Sequence, residues 1–383
     1  MKLSRRNFIR IVGSSAIILA PTACSSKTDL PDPFTPWAIA DTPIEPIQFA
    51  LSHALLAPNP HNRQPWLVDI QDQTSAILYV DPKMDLPETD PFDRQITIGL
   101  GCFLEVLAIA AQEQNYEAKI DYFPGGFDQQ TLDKRPIAKI KLLKNPIISS
   151  DTLYSQIFHR RTNRKPFTKQ QPTTKQLAKI TKRYASTNSV FASSIAQIEQ
   201  LKDLTVAAAN IEFKTPAAHM ESVALMRIGT AEIANNPDGI SINGPAMGIL
   251  KAVGIVTRKT LADEKSTAFK QGLEQYTDAA ASAANFVWIS TNSNTRIDQI
   301  KAGRAYVRQN LIATKLGLSM QPLSQALQEY PEMKQLLLKV HEITQTSGQR
   351  LQMLSRIGYG TKEALSPRFP LAAKLVEHEN KQH

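Results

Sequence analysis

The chain has 383 residues, 42% of them hydrophobic and 21% charged, enough apolar material for one large core or two smaller ones. Its formal charge is +9, of which Lys2, Arg5, Arg6 and Arg10 supply four, leaving +5 for the rest; no Lys/Arg block interleaved with aromatics points to nucleic acid. Two cysteines, Cys24 and Cys102, do not make a disulfide framework, and the seven histidines show no paired metal-ligand spacing, so no metal site is expected.

Ser4-Arg5-Arg6-Asn7-Phe8-Ile9-Arg10 precedes an apolar run from Ile11 to Ala20, well short of the roughly 20 residues that span a bilayer. This resembles a twin-arginine export signal over residues 1–23. The resemblance implies a protein exported already folded, with a redox cofactor acquired beforehand, and a location in the periplasm or cell envelope. Pro21-Thr22-Ala23-Cys24-Ser25-Ser26 resembles a lipoprotein processing site in which Cys24 would be lipidated, although Pro21 stands where such sites usually carry Leu. Membrane contact is expected only through such an anchor, because no other segment reads as a transmembrane helix. Residues 24–41, rich in Ser, Pro and Asp, read as a tether.

Thr42-Pro43-Ile44-Glu45 reads as a capping box with proline at the first helical position, and Ile47, Leu51, Ala54 and Leu55 give the stripe of the helix that follows. Pro58 and Pro60 end it. Trp66 to Ile70 and Ala76 to Val80 predict a hairpin around Gln71-Asp72-Gln73-Thr74-Ser75. A long amphipathic helix is predicted from about Ile96 to Gln114, with Leu100, Phe103, Leu104, Leu107 and Ala111 on one face, then strands near Ala118 to Tyr122 and Ile137 to Leu143.

Three motifs carry the chemistry. Ala57-Pro58-Asn59-Pro60-His61-Asn62-Arg63-Gln64-Pro65-Trp66 joins the first helix to the first strand, and its prolines brace an amide side chain that offers both donor and acceptor groups. Taken alone, this stretch could equally be a turn whose Asn and His satisfy local backbone. Phe158-His159-Arg160-Arg161-Thr162-Asn163-Arg164-Lys165-Pro166-Phe167 gathers basic residues of the kind that grip phosphate bidentately, or that cover a solvated surface. Leu354-Ser355-Arg356-Ile357-Gly358-Tyr359-Gly360 and Ser366-Pro367-Arg368-Phe369-Pro370 bring further arginines near the end.

Together these resemble the nitroreductase family of FMN-binding flavoproteins, whose pattern at the first motif differs only by Ser where this chain has Asn59. The resemblance implies an α+β fold with three α/β/α layers and a nitroreductase-like topology. It implies cofactor contacts from Asn59, His61, Asn62 and Gln64, with Asn62 suited to the flavin's pyrimidine edge. By the same resemblance Arg160 and Thr162 hold the FMN phosphate, with Arg161 and Asn163 beside them, Arg164 approaches flavin N1 and O2, and Arg368, with Arg356 as a weaker candidate, closes the phosphate site. Gly303-Arg304-Ala305 through Ser319 resembles the family's central helix and its Gly-Leu turn.

Motif order departs from simple members, which carry the Arg-rich segment first. Gly101 to Ala111 and Gly303 to Ala313 repeat one Gly to Ala spacing, which fits two fused halves, 42–150 and 151–383, forming an internal pseudo-dimer expected to be monomeric with one FMN site. This arrangement resembles the single-chain, dormancy-associated branch of the family. An Ala-rich helical insertion over about 195–284, broken at Asn236-Pro237-Asp238-Gly239, has the place of a lid in such branches; His219, Glu221 and Met226 are either structural or lid and pocket residues.

The function these readings imply is an exported FMN-dependent oxidoreductase that passes hydride or electrons through flavin N5 to electron-poor small molecules such as nitroaromatics or quinones. No nucleophile or metal is needed, and no catalytic side chain is singled out. Gly99-Leu100-Gly101 lacks the last glycine and the preceding strand of a dinucleotide fingerprint. NAD(P)H is scarce outside the cytoplasm, so a quinone or membrane redox donor is expected instead. Two alternatives stand beside this: an FMN-storing or redox-sensing protein whose lid prevents turnover, and a structural envelope lipoprotein on a decayed enzyme fold.

Overall fold

The computed structural model of the chain describes residues 30–376; the expected export signal and Cys24 lie outside the described residues. The later part of the segment expected as a tether is folded. Helix α1 (Thr35–Ile39) buries Trp37, and Ala40 after it is fully buried. Helix α2 (Pro46–Ala54) begins three residues later than a cap at Thr42 would place it, because Pro46 rather than Pro43 takes the first helical position, where its missing N–H costs nothing. Ile47, Leu51, Ala54 and Leu55 are buried as their spacing requires.

Strands β1 (Trp66–Asp72) and β2 (Ser75–Val80) form the hairpin, with Trp66 opposite Val80 and Val68 opposite Leu78. Helix α3 (Arg94–Glu113), β3 (Tyr116–Tyr122) and β4 (Ala138–Lys144) complete an antiparallel sheet of order β1-β2-β4-β3. Along β4, Ala138, Ile140 and Leu142 are buried while Lys139 and Lys141 are exposed, so the outer face of this sheet meets solvent.

Helix α4 (Thr174–Ile180) and β5 (Asn188–Phe191) open the second half. The insertion contains α5 (Ile195–Lys214), α6 (Pro216–Ala224), β6 (Met226–Ile228), α7 (Thr230–Asn235), β7 (Ile240–Ile242), α8 (Met247–Ala252), α9 (Arg258–Ala262) and α10 (Thr267–Ala281). After it come β8 (Asn285–Thr291), α11 (Arg296–Lys315), β9 (Ser319–Pro322), α12 (Lys334–Ile343) and β10 (Arg350–Gly358). The sheet order β5-β8-β10-β9 repeats the plan of the first sheet, and in both a 20-residue helix lies between the second and third strands. Strand β8 is buried on both faces: Val287 and Ile289 enter the core shared with α3 and α11, while Phe286 and Trp288 pack with Leu201 and Leu204 of α5. Helices therefore flank the second sheet on both sides and the first on one.

Helices α3 and α11 cross at the centre, and two glycines set their separation. A Cβ on Gly101 would lie 2.2 Å from Ile300 O, and one on Gly303 would lie 1.9 Å from Ile98 O. Each glycine stands three residues after the residue whose carbonyl the other glycine meets, so the contact is reciprocal about a local two-fold axis. Helix α3, contrary to expectation, is apolar and long enough to cross a membrane, with mean hydropathy 1.5; its most apolar window is 83% buried inside the fold, as the partner of α11 requires.

Candidate functional site

The loop between α2 and β1 is held in an unusual backbone. His61, Asn62 and Gln64 have φ of 47°, 53° and 53°, a left-handed region that Asn and His tolerate better than most side chains. Side chains lock it. Asn59 Oδ1 accepts from Gln64 N at 2.7 Å and Asn59 Nδ2 donates to Ala57 O at 3.2 Å. Gln64, fully buried, donates to Pro237 O at 2.8 Å and accepts from Phe369 N at 2.9 Å. Gly99 lets the loop rest on α3, since a Cβ there would meet Pro60 Cδ at 3.1 Å.

Arg160, Arg161 and Arg368 converge behind this loop. Arg368, 2% exposed, donates to Ala57 O at 3.1 Å, to Leu56 O at 3.4 Å and to Asn62 Oδ1, while Asn62 Nδ2 donates to Pro367 O at 3.0 Å. Arg160, 4% exposed, reaches Leu56 O at 3.3 Å. Arg161 donates to Arg160 O at 2.6 Å and Phe158 O at 2.9 Å. Each still presents a buried donor without a partner: Arg160 Nη1, Arg161 Nε and Arg368 Nε. None of the three has a carboxylate partner among the described residues.

The electrostatics follow from that crowding. Burial first, then the charges of Arg160 and Arg161, holds Arg368 well below the ordinary arginine range. Burial and then Arg160 bring Arg161 down to about 10, and burial lowers Arg160. Guanidinium groups keep their protons under such shifts, so this is a concentration of largely buried positive charge with free N–H groups and no paired anion among the described residues.

These residues line one end of a cavity of about 860 Å³, together with Asn59, Asn62, Thr162, Arg164 and Lys165. The two motifs, a hundred residues apart in sequence, thus meet at one place, one from each half of the chain. The insertion supplies the opposite wall with Phe213, Met226, Ile233, Ile242, Met247 and Phe269. Gln271 also lines it, with a buried Oε1 that lacks a partner. A shallower depression of about 680 Å³ over β2, β3 and β4 contains none of the motif residues. Arg164 lines the cavity as an exposed cation without a carboxylate partner among the described residues.

Not every expected residue reaches the cavity. Gln64 is engaged on both amide groups, as above. Asn163 ties its loop to β9 and to the C-terminal strap, donating to Ser319 Oγ at 3.1 Å and Thr361 O at 2.7 Å. His61 lies beneath, with Nδ1 buried and unpartnered; burial, then Arg164 and Arg63, pushes it down to about 4, so it is neutral. Arg356 packs its guanidinium 3.8 Å from the Phe167 ring centre and donates to Gln321 Oε1 at 2.6 Å and Lys165 O at 2.8 Å, away from the cavity. His219 and Met226 line the cavity, whereas Glu221 accepts from Glu88 N at 2.8 Å and Thr89 N at 3.2 Å and anchors the insertion.

Two features went unread in the sequence. Asp238, 3% exposed, pairs with Arg63 of the loop and with Arg227 at 2.7 Å, latching the insertion onto the cofactor-loop candidate. Phe34 lines the cavity, and Trp37 packs on two of the arginines. A lone tryptophan in a polar stretch was the available signal.

No protein-family model matches the chain. It is similar to the "Putative NAD(P)H nitroreductase Rv3131" of Mycobacterium tuberculosis, 25% identical over 324 residues that cover 82% of this chain and 85% of that one. Among solved structures, a nitroreductase with bound FMN from Desulfitobacterium hafniense aligns with a TM-score of 0.35 and 11% identity, over 60% of this chain and 99% of that one. The FMN-dependent nitroreductase NfnB from Mycobacterium smegmatis, in complex with NADPH, aligns with a TM-score of 0.34 and 15% identity, over 57% and 94%.

Proposed function

We propose that this chain is an FMN-dependent oxidoreductase of the nitroreductase type, with one flavin per chain. The observation that carries the reading is the cluster of Arg160, Arg161 and Arg368: two buried guanidiniums and one half-buried, each with a buried N–H that lacks a partner, and no carboxylate paired with them among the described residues. Buried charge of one sign calls for a bound anion, and planar N–H edges suit a phosphate group. The likeness over most of the chain to a mycobacterial protein named as an NAD(P)H nitroreductase supports the same reading, as do the Asn59 to Trp66 and Arg160 to Arg164 motifs.

Arg160, Arg161 and Arg368 would hold the FMN phosphate, and Thr162 would support them from the same wall. Arg164 is the free cation available to the ring. Asn62 lines the cavity with its amide already engaged, so an anion that draws Arg368 away from Asn62 Oδ1 frees that oxygen to accept from a ring N–H. When bound, FMN supplies reversible transfer of hydride or single electrons. The apolar wall from the insertion excludes water and favours a flat, electron-poor acceptor such as a nitroaromatic or a quinone. Export through the twin-arginine signal, with a lipid anchor on Cys24, belongs to the same proposal and makes a quinone or membrane redox partner the better electron donor. The reciprocal packing of α3 and α11 supports reading the chain as an internal pseudo-dimer that acts as a monomer.

One observation favours a second reading, flavin storage or redox sensing: the buried Asp238 pairs fasten the insertion across the site. Turnover separates the two. The purified yellow protein, reduced with dithionite, is expected to be reoxidised by nitrofurans or quinones; flavin that stays reduced in their presence overturns the enzyme reading and leaves the storage reading standing, and a colourless protein overturns both.

A further inference from the structure

We propose that Trp37 is a positioning residue of the arginine cluster and makes the site selective for a phosphorylated flavin over its dephosphorylated form. The proposal rests on the FMN reading above. Trp37 is 7% exposed, and its ring centre lies 4.6 Å from the guanidinium carbon of Arg161 and 5.6 Å from that of Arg368. Its place is fixed from outside the cluster. Trp37 Nε1 donates to Ser366 O at 2.8 Å, and two residues on in the same strap Arg368 N donates to Pro33 O at 2.9 Å. The segment around α1 and residues 366–368 therefore clasp each other over the arginines, and Phe34 continues the clasp into the cavity wall.

The choice of an aromatic ring has a chemical consequence. Two neighbouring guanidiniums, Arg368 buried and Arg161 half-buried, repel each other without a counter-ion, and the usual remedy is a carboxylate. A carboxylate would occupy the N–H edges and neutralise the site before an anion arrived. The negative face of an indole attracts a cation through its plane and leaves the edge donors free. The structure has that arrangement: Nε of both Arg161 and Arg368 is buried and unpartnered. Trp37 thus supports two cations in their charged, aligned state and, unlike Arg164, is not among the residues that line the cavity. Its effect should fall on the phosphate alone.

The test compares FMN with riboflavin, which lacks the phosphate, by flavin-fluorescence titration of the flavin-stripped full chain. Two cation–π contacts of about 0.5–1 kcal/mol each sum to about 1–2 kcal/mol, so Trp37→Leu, which keeps apolar bulk without the quadrupole, should weaken FMN binding roughly 5- to 30-fold and leave riboflavin binding within about twofold. Trp37→Phe, which keeps a ring face, should recover most of the FMN affinity. Equal losses for FMN and riboflavin would show a merely structural role and overturn the proposal, as would unchanged FMN affinity in Trp37→Leu. A wild-type chain that binds neither flavin removes the FMN reading itself, a result distinct from either of these.

Discussion

Replacing Arg160 by Met separates what this residue costs the empty fold from what it gives a bound anion. Arg160 is 4% exposed, its guanidinium makes one hydrogen bond among the described residues, to Leu56 O at 3.3 Å, and it leaves Nη1 unpartnered. Losing one bond to a neutral carbonyl costs about 1 kcal/mol, whereas replacing a poorly paired buried ion by an apolar side chain of similar size stabilises by about 1–4 kcal/mol. The flavin-free variant is therefore expected to be about 0–3 kcal/mol more stable than wild type in urea. Binding moves the other way. A charge-assisted hydrogen bond is worth about 1.5–3 kcal/mol, so FMN affinity should fall roughly 10- to 150-fold. Urea unfolding with and without FMN reads both effects. At an FMN concentration about 100 times the wild-type Kd, wild type should gain about 2.7 kcal/mol, and a variant binding about 50-fold more weakly only about 0.6 kcal/mol. A variant less stable than wild type without flavin, yet equally stabilised by FMN, would show that Arg160 is structural and refute the argument from unpaired charge.

Two further predictions concern the scaffold. Gly101→Ala and Gly303→Ala each place a methyl within 2.2 Å of a backbone carbonyl of the facing helix, so each should destabilise by about 3 kcal/mol or more in urea. Because both push apart the same pair of helices, the double variant should cost clearly less than the sum; full additivity would contradict the reciprocal contact. Burial raises Glu212 to about 7 in the folded chain, from an ordinary value of 4.5. Its proton is held more tightly when folded, so its contribution to stability is present below pH about 4.5 and is lost as pH rises through 7. Glu212→Gln should flatten stability between those limits, leaving the slope from Asp90, which burial also raises to about 7; an unchanged slope would refute the assignment.

Long, strongly periodic elements were legible in the sequence. Helix α3, the β1–β2 hairpin and the repeated Gly to Ala spacing follow from local patterns, whereas α11 was legible only through its resemblance to a family's central helix; the repeat has a physical cause in the crossing at Gly101 and Gly303. Arginines of the cluster could be picked from motif resemblance. What residue type could not reveal was partnership across the chain. Gln64 meets Phe369 N, 305 residues away, and Asn163 meets Thr361 O, so two amides that suit a flavin edge instead brace the backbone. Trp37 was hidden for a different reason: a Ser, Pro and Asp average describes a tether, and one buried indole changes the energetics without changing the average. Thr42 lost its cap to Pro46 because two prolines compete for one helical start.

The central claim is that Arg160 and Arg368 hold the phosphate of a single FMN. Flavin content of the purified full chain, measured by absorbance after washing with buffered salt, tests it most directly. The wild-type chain should carry one FMN and Arg160→Ala/Arg368→Ala should lose it; retention of one FMN per chain by that double variant would contradict the assignment.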